Sequence, residues 1–478
     1  MNKLKVGFNR TNVDPQLGIA VHGYFVPRYA SEILDSLYIN AIALTTDEMK
    51  AEKNEVWNPD TGRYNRPAEK FDYSKAVLMI SVDNCGFIKV TADKFRAYIS
   101  EKTGVPTENI FICCTHTHTG PAAQHLDEFD VDDEMIQTYQ DFMKVRLGDA
   151  SLAALRDMKP ARMGFCVGQA PERVAYIRRY RMKDGTTWTC PPINDPNIVE
   201  ALGTLDQRVN VIRFDREGAD TVVMVNYGLH ADCLNLDKIS ADWPGWMAKT
   251  FETAVPGTKV AFFNGCEGDV GSTHTTPEGG DMNDTFISFD NEMKSEGMIR
   301  FVGRALAGTI LQVYDKVEYC DVPEVRSMVH VIKTPANKAK PEELPRAHKF
   351  KELHEAGRDC DIPYTAMELT TVVAEALRMC RMESAPDFFE FELIGVKIGP
   401  VGFVGIPGEP FTEIGRQIKE AEGYKCICPC CLTNGSEAYF PMKECFDEGG
   451  YEARSSIFTG GVAEAIVDGG HSILKKLL

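Results

Sequence analysis

Short runs of four to seven apolar residues recur along the chain, and each runs into a loop rich in Gly, His or Asp. Residues 76–82 end at Asp83, 109–114 at Thr115-His-Thr-His118, and 221–226 shortly before His230. Residues 259–263 end at Asn264-Gly-Cys-Glu-Gly-Asp269, and 402–406 at Pro407-Gly-Glu409. Apolar runs this short, bounded by turn residues, predict buried strands. The opening residues Met1 to Asn9 also enter a strand-like pattern at once. Between the runs, apolar positions at helical spacing predict helices over 90–103, 133–155, 244–254, 296–317 and 365–382. Strands alternating with helices, with polar residues at the strand ends, predict an α/β fold of mixed sheets flanked by helices. In such folds a site forms where several strand-end loops converge. The charged, Pro-punctuated stretch 334–361 reads as a surface excursion, and no segment has the composition of a flexible linker. The expectation is one catalytic domain over 1–478 carrying that insertion.

Composition narrows the function classes. The 478 residues include 52 Lys+Arg against 70 Asp+Glu, a formal net charge of -18. Such a charge repels phosphate backbones and anionic lipid surfaces, which argues against nucleic-acid or general membrane-surface binding. No run of about 18 apolar residues occurs to span a membrane. The N-terminal residues lack the apolar core and cleavage site of a signal peptide. Fifteen cysteines are many, but most sit inside apolar runs such as Phe111-Ile-Cys-Cys114. That is the placement of small buried hydrophobes, and it favours a reducing cytoplasm. Lys425-Cys-Ile-Cys-Pro-Cys-Cys431 lacks the paired spacing of a structural zinc site and reads as a cysteine-rich core strand.

The candidate chemistry lies at the strand ends. In an extended segment, His116 and His118 would project to one side about 6.6 Å apart. One can ligate a metal while the other faces substrate, or both can ligate; the plain alternative is a pair of surface histidines. His230 follows a second apolar strand and is, taken alone, as easily a hydrogen-bonded structural residue as a ligand. Glu409 follows a fully apolar strand. A buried carboxylate there costs several kcal/mol unless it is paired or bound to a metal. Imidazole and carboxylate together suit zinc and leave a position open for water.

These segments resemble, in order, the motifs of the neutral/alkaline (non-lysosomal) ceramidases and their bacterial relatives. The likeness begins with Thr11-Asn-Val-Asp-Pro-Gln-Leu-Gly18 and Gly23-Tyr24, and continues with Thr115-His-Thr-His-Thr-Gly-Pro121 and Ile239-Ser-Ala-Asp-Trp-Pro-Gly245. It runs on through Asn264-Gly-Cys-Glu-Gly-Asp-Val270, Ile406-Pro-Gly-Glu409, Asn434-Gly-Ser-Glu-Ala-Tyr439 and Gly450-Tyr-Glu-Ala453. The resemblance implies that His116, His230, Glu409 and Tyr439 are zinc ligands and that His118 faces substrate as a proton donor or polariser. It implies that Tyr451 and Arg178 sit beside the scissile carbonyl, with Arg179 the alternative to Arg178. Tyr439 comes from the resemblance alone; by pattern it is a strand aromatic.

The departures matter too. Ceramidases place a serine after Gly-Asp-Val, where this chain has Gly271, with Ser272 one residue later and expected to point elsewhere. They also carry a C-terminal β-sandwich and usually a secretion signal, neither of which this sequence shows. The expected activity is therefore zinc-dependent hydrolysis of a linear amide, or an ester, in a small acyl-amide substrate, with zinc-bound water as nucleophile. The alternatives are a zinc-binding sensor without turnover and a different zinc-dependent reaction on a polar metabolite.

Overall fold

Side chains along the strands fall alternately on two faces, and in strands such as Val77–Val82, Ile110–Cys114 and Val401–Gly405 both faces are buried. The computed structural model describes residues 4–48, 51–52, 56–60, 62–65, 70–125, 133–276 and 294–478. Its main sheet has nine strands. Eight run in the order Thr258–Asn264, Thr221–Tyr227, Arg208–Arg216, Lys159–Gln169, Lys5–Asn12, Tyr38–Thr45, Val77–Val82, Ile110–Cys114, and Glu318–Cys320 also pairs with Lys159–Gln169. The central pairings are antiparallel; the outermost pair at each end is parallel.

On one face Ile39, Leu78, Ile80 and Ile112 meet helices Lys89–Thr103 and Asp133–Arg156. The latter turns Tyr139, Met143, Leu147, Ala150 and Ala154 inward at the three- and four-residue spacing of a helical stripe. Farther along the same sheet, Val211, Val223, Val225 and Val260 meet helices Asp242–Ala254 and Glu296–Val313. Ser295 caps the second of these through its hydroxyl and the Met298 N–H. That helix ends at Val313 and a 3-10 turn, Tyr314–Lys316, covers most of the remaining expected length.

The opposite face meets a second sheet, ordered Val325–Pro335, Phe388–Ile398, Val401–Gly405, Cys426–Cys430. Met79, Phe111, Ile212, Met224 and Phe263 from the first sheet interdigitate with Ile394, Val396, Phe403 and Cys428 from the second. The far side of the second sheet is covered by the C-terminal helix Val462–Leu477 through Ile466, Ile473 and Leu474. The layers thus run helix, sheet, sheet, helix, and strands buried on both faces read as unbroken apolar runs. All fifteen cysteines are free thiols, and Cys426, Cys428 and Cys430 fill the space between the sheets.

The excursion expected at 334–361 is ordered and longer. Val325–Pro335 and Phe388–Ile398 pair from Val325↔Ile398 to Pro335↔Phe388, so the chain departs after Pro335 and returns at Phe388. Helices Leu344–Glu355 and Ala366–Met382 lie in that interval and pack around Phe350, Ile362, Val372 and Met379.

The edge strand Thr258–Asn264 is capped by side chains. Val260 N–H donates to Glu252 at 2.7 Å, Arg10 donates to the Val260 carbonyl at 2.7 Å, and the Ser81 hydroxyl donates to the Phe262 carbonyl at 2.5 Å. Among the described residues no helix is long and apolar enough to cross a membrane.

Candidate metal centre

Two loops after strands and a short parallel strand pair bring the expected ligands together. The chain leaves strand Ile110–Cys114 and turns sharply, with His116 at φ 69°, so the two histidines are not related by strand alternation as expected. This left-handed conformation is costly for a non-glycine residue and persists where its surroundings hold it. Here the His116 N–H donates to the Asn84 carbonyl at 3.0 Å and its Nδ1 donates to the Cys85 carbonyl at 2.7 Å. The turn leaves the His116 and His118 rings 4.6 Å apart, edge to face.

His230 is fixed the same way. Its Nδ1 lies 2.9 Å from the Glu267 carbonyl and 3.0 Å from that of Val270, while its own carbonyl accepts from the Trp243 indole at 2.9 Å. With both Nδ1 atoms placed to donate to main-chain carbonyls, both Nε2 atoms turn toward the centre, where that of His230 accepts from Arg178 at 3.2 Å and that of His116 lies 3.1 Å from His118 Nε2. They converge on one carboxylate oxygen, Glu409 Oε2, at 3.4 Å from His116 and 3.2 Å from His230.

Glu409 stands in the two-stranded parallel pairing Glu409–Pro410 with Tyr439–Phe440, which sets Glu409 directly beside Tyr439. The Tyr439 phenol is buried there; burial, then the Glu409 charge, push its pKa well up.

A cation fits this arrangement. Glu409 Oε2 is buried with no hydrogen-bond donor, and one ligand atom from each of His116, His230, Glu267 and Glu409 lies within 4.8 Å of the others. Two imidazoles with carboxylate oxygens form a donor set of the zinc type. Burial alone would lower the His116 pKa, but Glu409, then Cys85, raise it well above the usual range. Burial alone would raise Glu409, but the His116 charge, and then the His230 ring beside it, hold it well down. These are two views of one ion pair, in which a proton stands where a divalent cation would compete for the same lone pair.

The flanking groups divide clearly. His118 turns Nε2 toward the centre, 3.1 Å from His116 Nε2, and burial followed by the His116 charge keeps its ring neutral. The Tyr24 ring lies edge-on at 5.3 Å, and Gly23 packs so closely that a Cβ there would fall 2.7 Å from His118 Cγ. Behind it, Lys294 donates to Asp232 at 2.7 Å and to the Tyr24 hydroxyl at 3.0 Å.

Of the two arginines, Arg178 reaches the centre. Its Nη1 is 3.2 Å from His230 Nε2, its Nε donates to Glu452 at 2.7 Å, and its Nη2 donates to the Gly268 carbonyl at 2.8 Å. Arg179 turns away to Glu448, the Gly449 carbonyl and the Cys445 sulfur. The Tyr451 ring stands 5.5 Å from that of Tyr439. Gly271 pairs with Tyr176, and a Cβ there would meet nothing closer than Arg178 Cβ at 3.8 Å. Ser272 is buried.

Sequence reasoning missed Glu267, although its segment was singled out as a motif. The residue is fully buried, between glycines whose close packing is invisible in sequence. It also missed Glu452, which orients Arg178, and the Asp232–Lys294 pair. A further His–Cys–Glu group, His348, Cys380 and Glu383, lies on the excursion. There the imidazole is sandwiched, Nδ1 toward Cys380 and Nε2 toward Glu383, so its two nitrogens face opposite partners.

No protein-family model and no curated protein matches the sequence. Among solved structures, the chain is similar to the neutral ceramidase from Pseudomonas aeruginosa. The TM-score is 0.66 at 14% identity, covering 100% of this chain and 75% of that one. It is also similar to a structure described as ceramidase complexed with C2, with TM-score 0.68 at 15% identity, covering 100% of this chain and 76% of that one. The resemblance expected from the ordered motifs therefore extends to the whole architecture, and this chain has the fold of the neutral ceramidases.

Proposed function

We propose that this protein is a zinc-dependent hydrolase of the ceramidase kind, cleaving the amide bond of an N-acyl substrate. The observation that carries the reading is the convergence of two buried imidazole Nε2 atoms on the buried Glu409 Oε2, to which no hydrogen bond is made. His116, His230, Glu409 and Tyr439 would hold the metal. A zinc ion in such a set supplies Lewis acidity toward a carbonyl and a nucleophilic water near neutral pH.

The rest of the work falls to the chain's own residues. Arg178 is held by Glu452 and the Gly268 carbonyl with one arm toward the centre, ready to receive negative charge on the carbonyl oxygen. Tyr451 stands across Tyr439 to donate a second hydrogen bond. Preorganised donors of this kind are where such sites gain most of their rate. His118, neutral and half-buried, holds or passes a proton at Nε2 and is steadied by Tyr24 and the Arg28 hydrogen bond to its carbonyl at 2.7 Å. Gly271 removes any hydroxyl at that position, so no serine-assisted route is available there.

The test has two parts. Metal analysis after zinc loading is expected to find about one zinc per chain, lost in His116→Ala and His230→Ala; a stoichiometry near zero in the unaltered protein overturns the reading. A panel of N-acyl amines and N-acyl amino acids of increasing chain length, run beside long-chain ceramide in detergent, then identifies the substrate. Gly271 favours one competing reading, a zinc-binding protein without turnover; failure of a zinc-replete protein on the whole panel would select it.

A further inference from the structure

Building on that reading, we infer that Glu267 is a further ligand of the metal centre, making its donors two imidazoles and two carboxylates. Glu267 is 0% exposed, and neither carboxylate oxygen takes a hydrogen bond. Its neighbour, the Cys431 thiol, is a weak donor. A fully buried carboxylate without partners is costly whether ionised or protonated, since the acid O–H would then lack an acceptor. One of its oxygens lies within 4.8 Å of the ligand atoms of His116, His230 and Glu409, so a single cation would give Glu267 a partner and bind Glu409 at once.

The main chain holds Glu267 in that position on two sides. Its carbonyl accepts from His230 Nδ1 at 2.9 Å, and the next N–H, that of Gly268, donates to the Pro410 carbonyl at 2.9 Å. A Cβ at Gly268 would fall 2.5 Å from the Glu409 carbonyl oxygen, and one at Gly265 would fall 2.8 Å from the Gly228 nitrogen. The loop is thus clamped by main-chain contact between the segments carrying His230 and Glu409, and flexibility does not explain the orphaned side chain. Two carboxylates balance the charge of a divalent cation and add hard oxygen to the set, which widens tolerance toward manganese relative to a site with one carboxylate.

The experiment uses the full chain and Zn²⁺ and Co²⁺ as probes. Zinc affinity is measured by competition with a chromophoric chelator, and the visible spectrum of the cobalt form reports coordination. Glu267→Gln keeps the size and removes the charge; Glu267→Asp keeps the charge and withdraws it by one methylene. Both are expected to bind zinc at least about 100-fold more weakly, at or beyond the upper end of what loss of an outer-shell partner does. Both are also expected to change the cobalt spectrum. Unchanged affinity and spectrum in either folded variant overturn the assignment of Glu267 while leaving the centre intact. Absence of zinc and cobalt binding in the unaltered protein overturns the metal reading itself.

Discussion

Gly268 packs tightly against the Glu409 main chain, and the first residue-level expectation follows from that contact. In Gly268→Ala the new Cβ would meet a main-chain oxygen at 2.5 Å, which cannot rotate away. The loop must move, at a cost of about 1–3 kcal/mol or more. Thermal unfolding and metal analysis are expected to show a lower Tm together with weaker zinc binding. His118→Ala is expected to keep its zinc yet lose turnover by roughly 10²–10⁴, the range of a positioned acid–base group. Loss of zinc in that variant would instead make His118 a ligand. Ser272→Ala is expected to leave turnover nearly unchanged; loss of activity with zinc retained would contradict the serine-independent route. In Gly271→Ser the new Cβ makes only ordinary contact with Arg178, at 3.8 Å, and the variant is expected to fold with unchanged Tm. At this scale the sequence disclosed residues whose type and neighbours were both unusual. His116 and His118 stood out because they close an apolar strand before Gly-Pro, and Glu409 because it lies among Gly and Pro beyond another. The turn at His116 was not legible, because left-handed backbone in a histidine is imposed by the Asn84 and Cys85 main chain, far from it in sequence. Glu267 stayed hidden because Gly-Cys-Glu-Gly-Asp reads as an ordinary polar loop.

The elements best foreseen were those buried on both faces, where the apolar run carries the whole signal. Cys426–Cys430 belongs with them: the cysteines there pack with Phe403 and Phe263 between the sheets. Cys428→Ala is expected to lower stability by about 1–2 kcal/mol through a small cavity and to leave zinc content unchanged. Strands such as Lys159–Gln169 and Val325–Pro335 were not foreseen, because they are half exposed and interleave Arg, Lys, Gly and Ser with their apolar positions. Their pairing is fixed by neighbours remote in sequence. Charge pairing also joins elements. Lys419, just past helix Thr412–Ile418, donates to Asp206 at 2.8 Å, and Arg208 donates to it at 2.7 Å. Burial alone would raise the Asp206 pKa, but these two cations hold it down to about 2. A depressed carboxylate stabilises the fold above its unfolded pKa and loses that contribution as pH falls through the folded value. Asp206→Asn is therefore expected to cost about 2 kcal/mol at pH 7, with the difference from the unaltered protein shrinking between about pH 4 and pH 2. A difference that stayed constant with pH would mean that the ion pairs contribute nothing.

On the scale of the whole molecule, the centre draws side chains from segments near residues 116, 230, 267, 409 and 439, spread over both sheets and their connections. A ligand gathered this way binds only the folded state. Zinc at 100 times its Kd is then expected to add about 2.7 kcal/mol, and a chelator to lower Tm correspondingly; equal Tm with and without chelator would mean no bound metal. Thiol titration under denaturing, non-reducing conditions is expected to recover nearly all fifteen cysteines. The ordering of the strands was beyond sequence reasoning, since it rests on pairings such as Lys5–Asn12 against Tyr38–Thr45 that local pattern does not encode. A last consequence concerns strand Thr258–Asn264 at the margin of the main sheet. An outermost strand normally offers a free row of main-chain donors and acceptors on which another chain can grow. Here Arg10, Ser81 and Glu252 bond to that row, so this margin of the main sheet is closed to edge-to-edge growth. Removing Arg10 and Glu252 together would uncover the margin, and turbidity during refolding would register the self-association that the intact pair prevents.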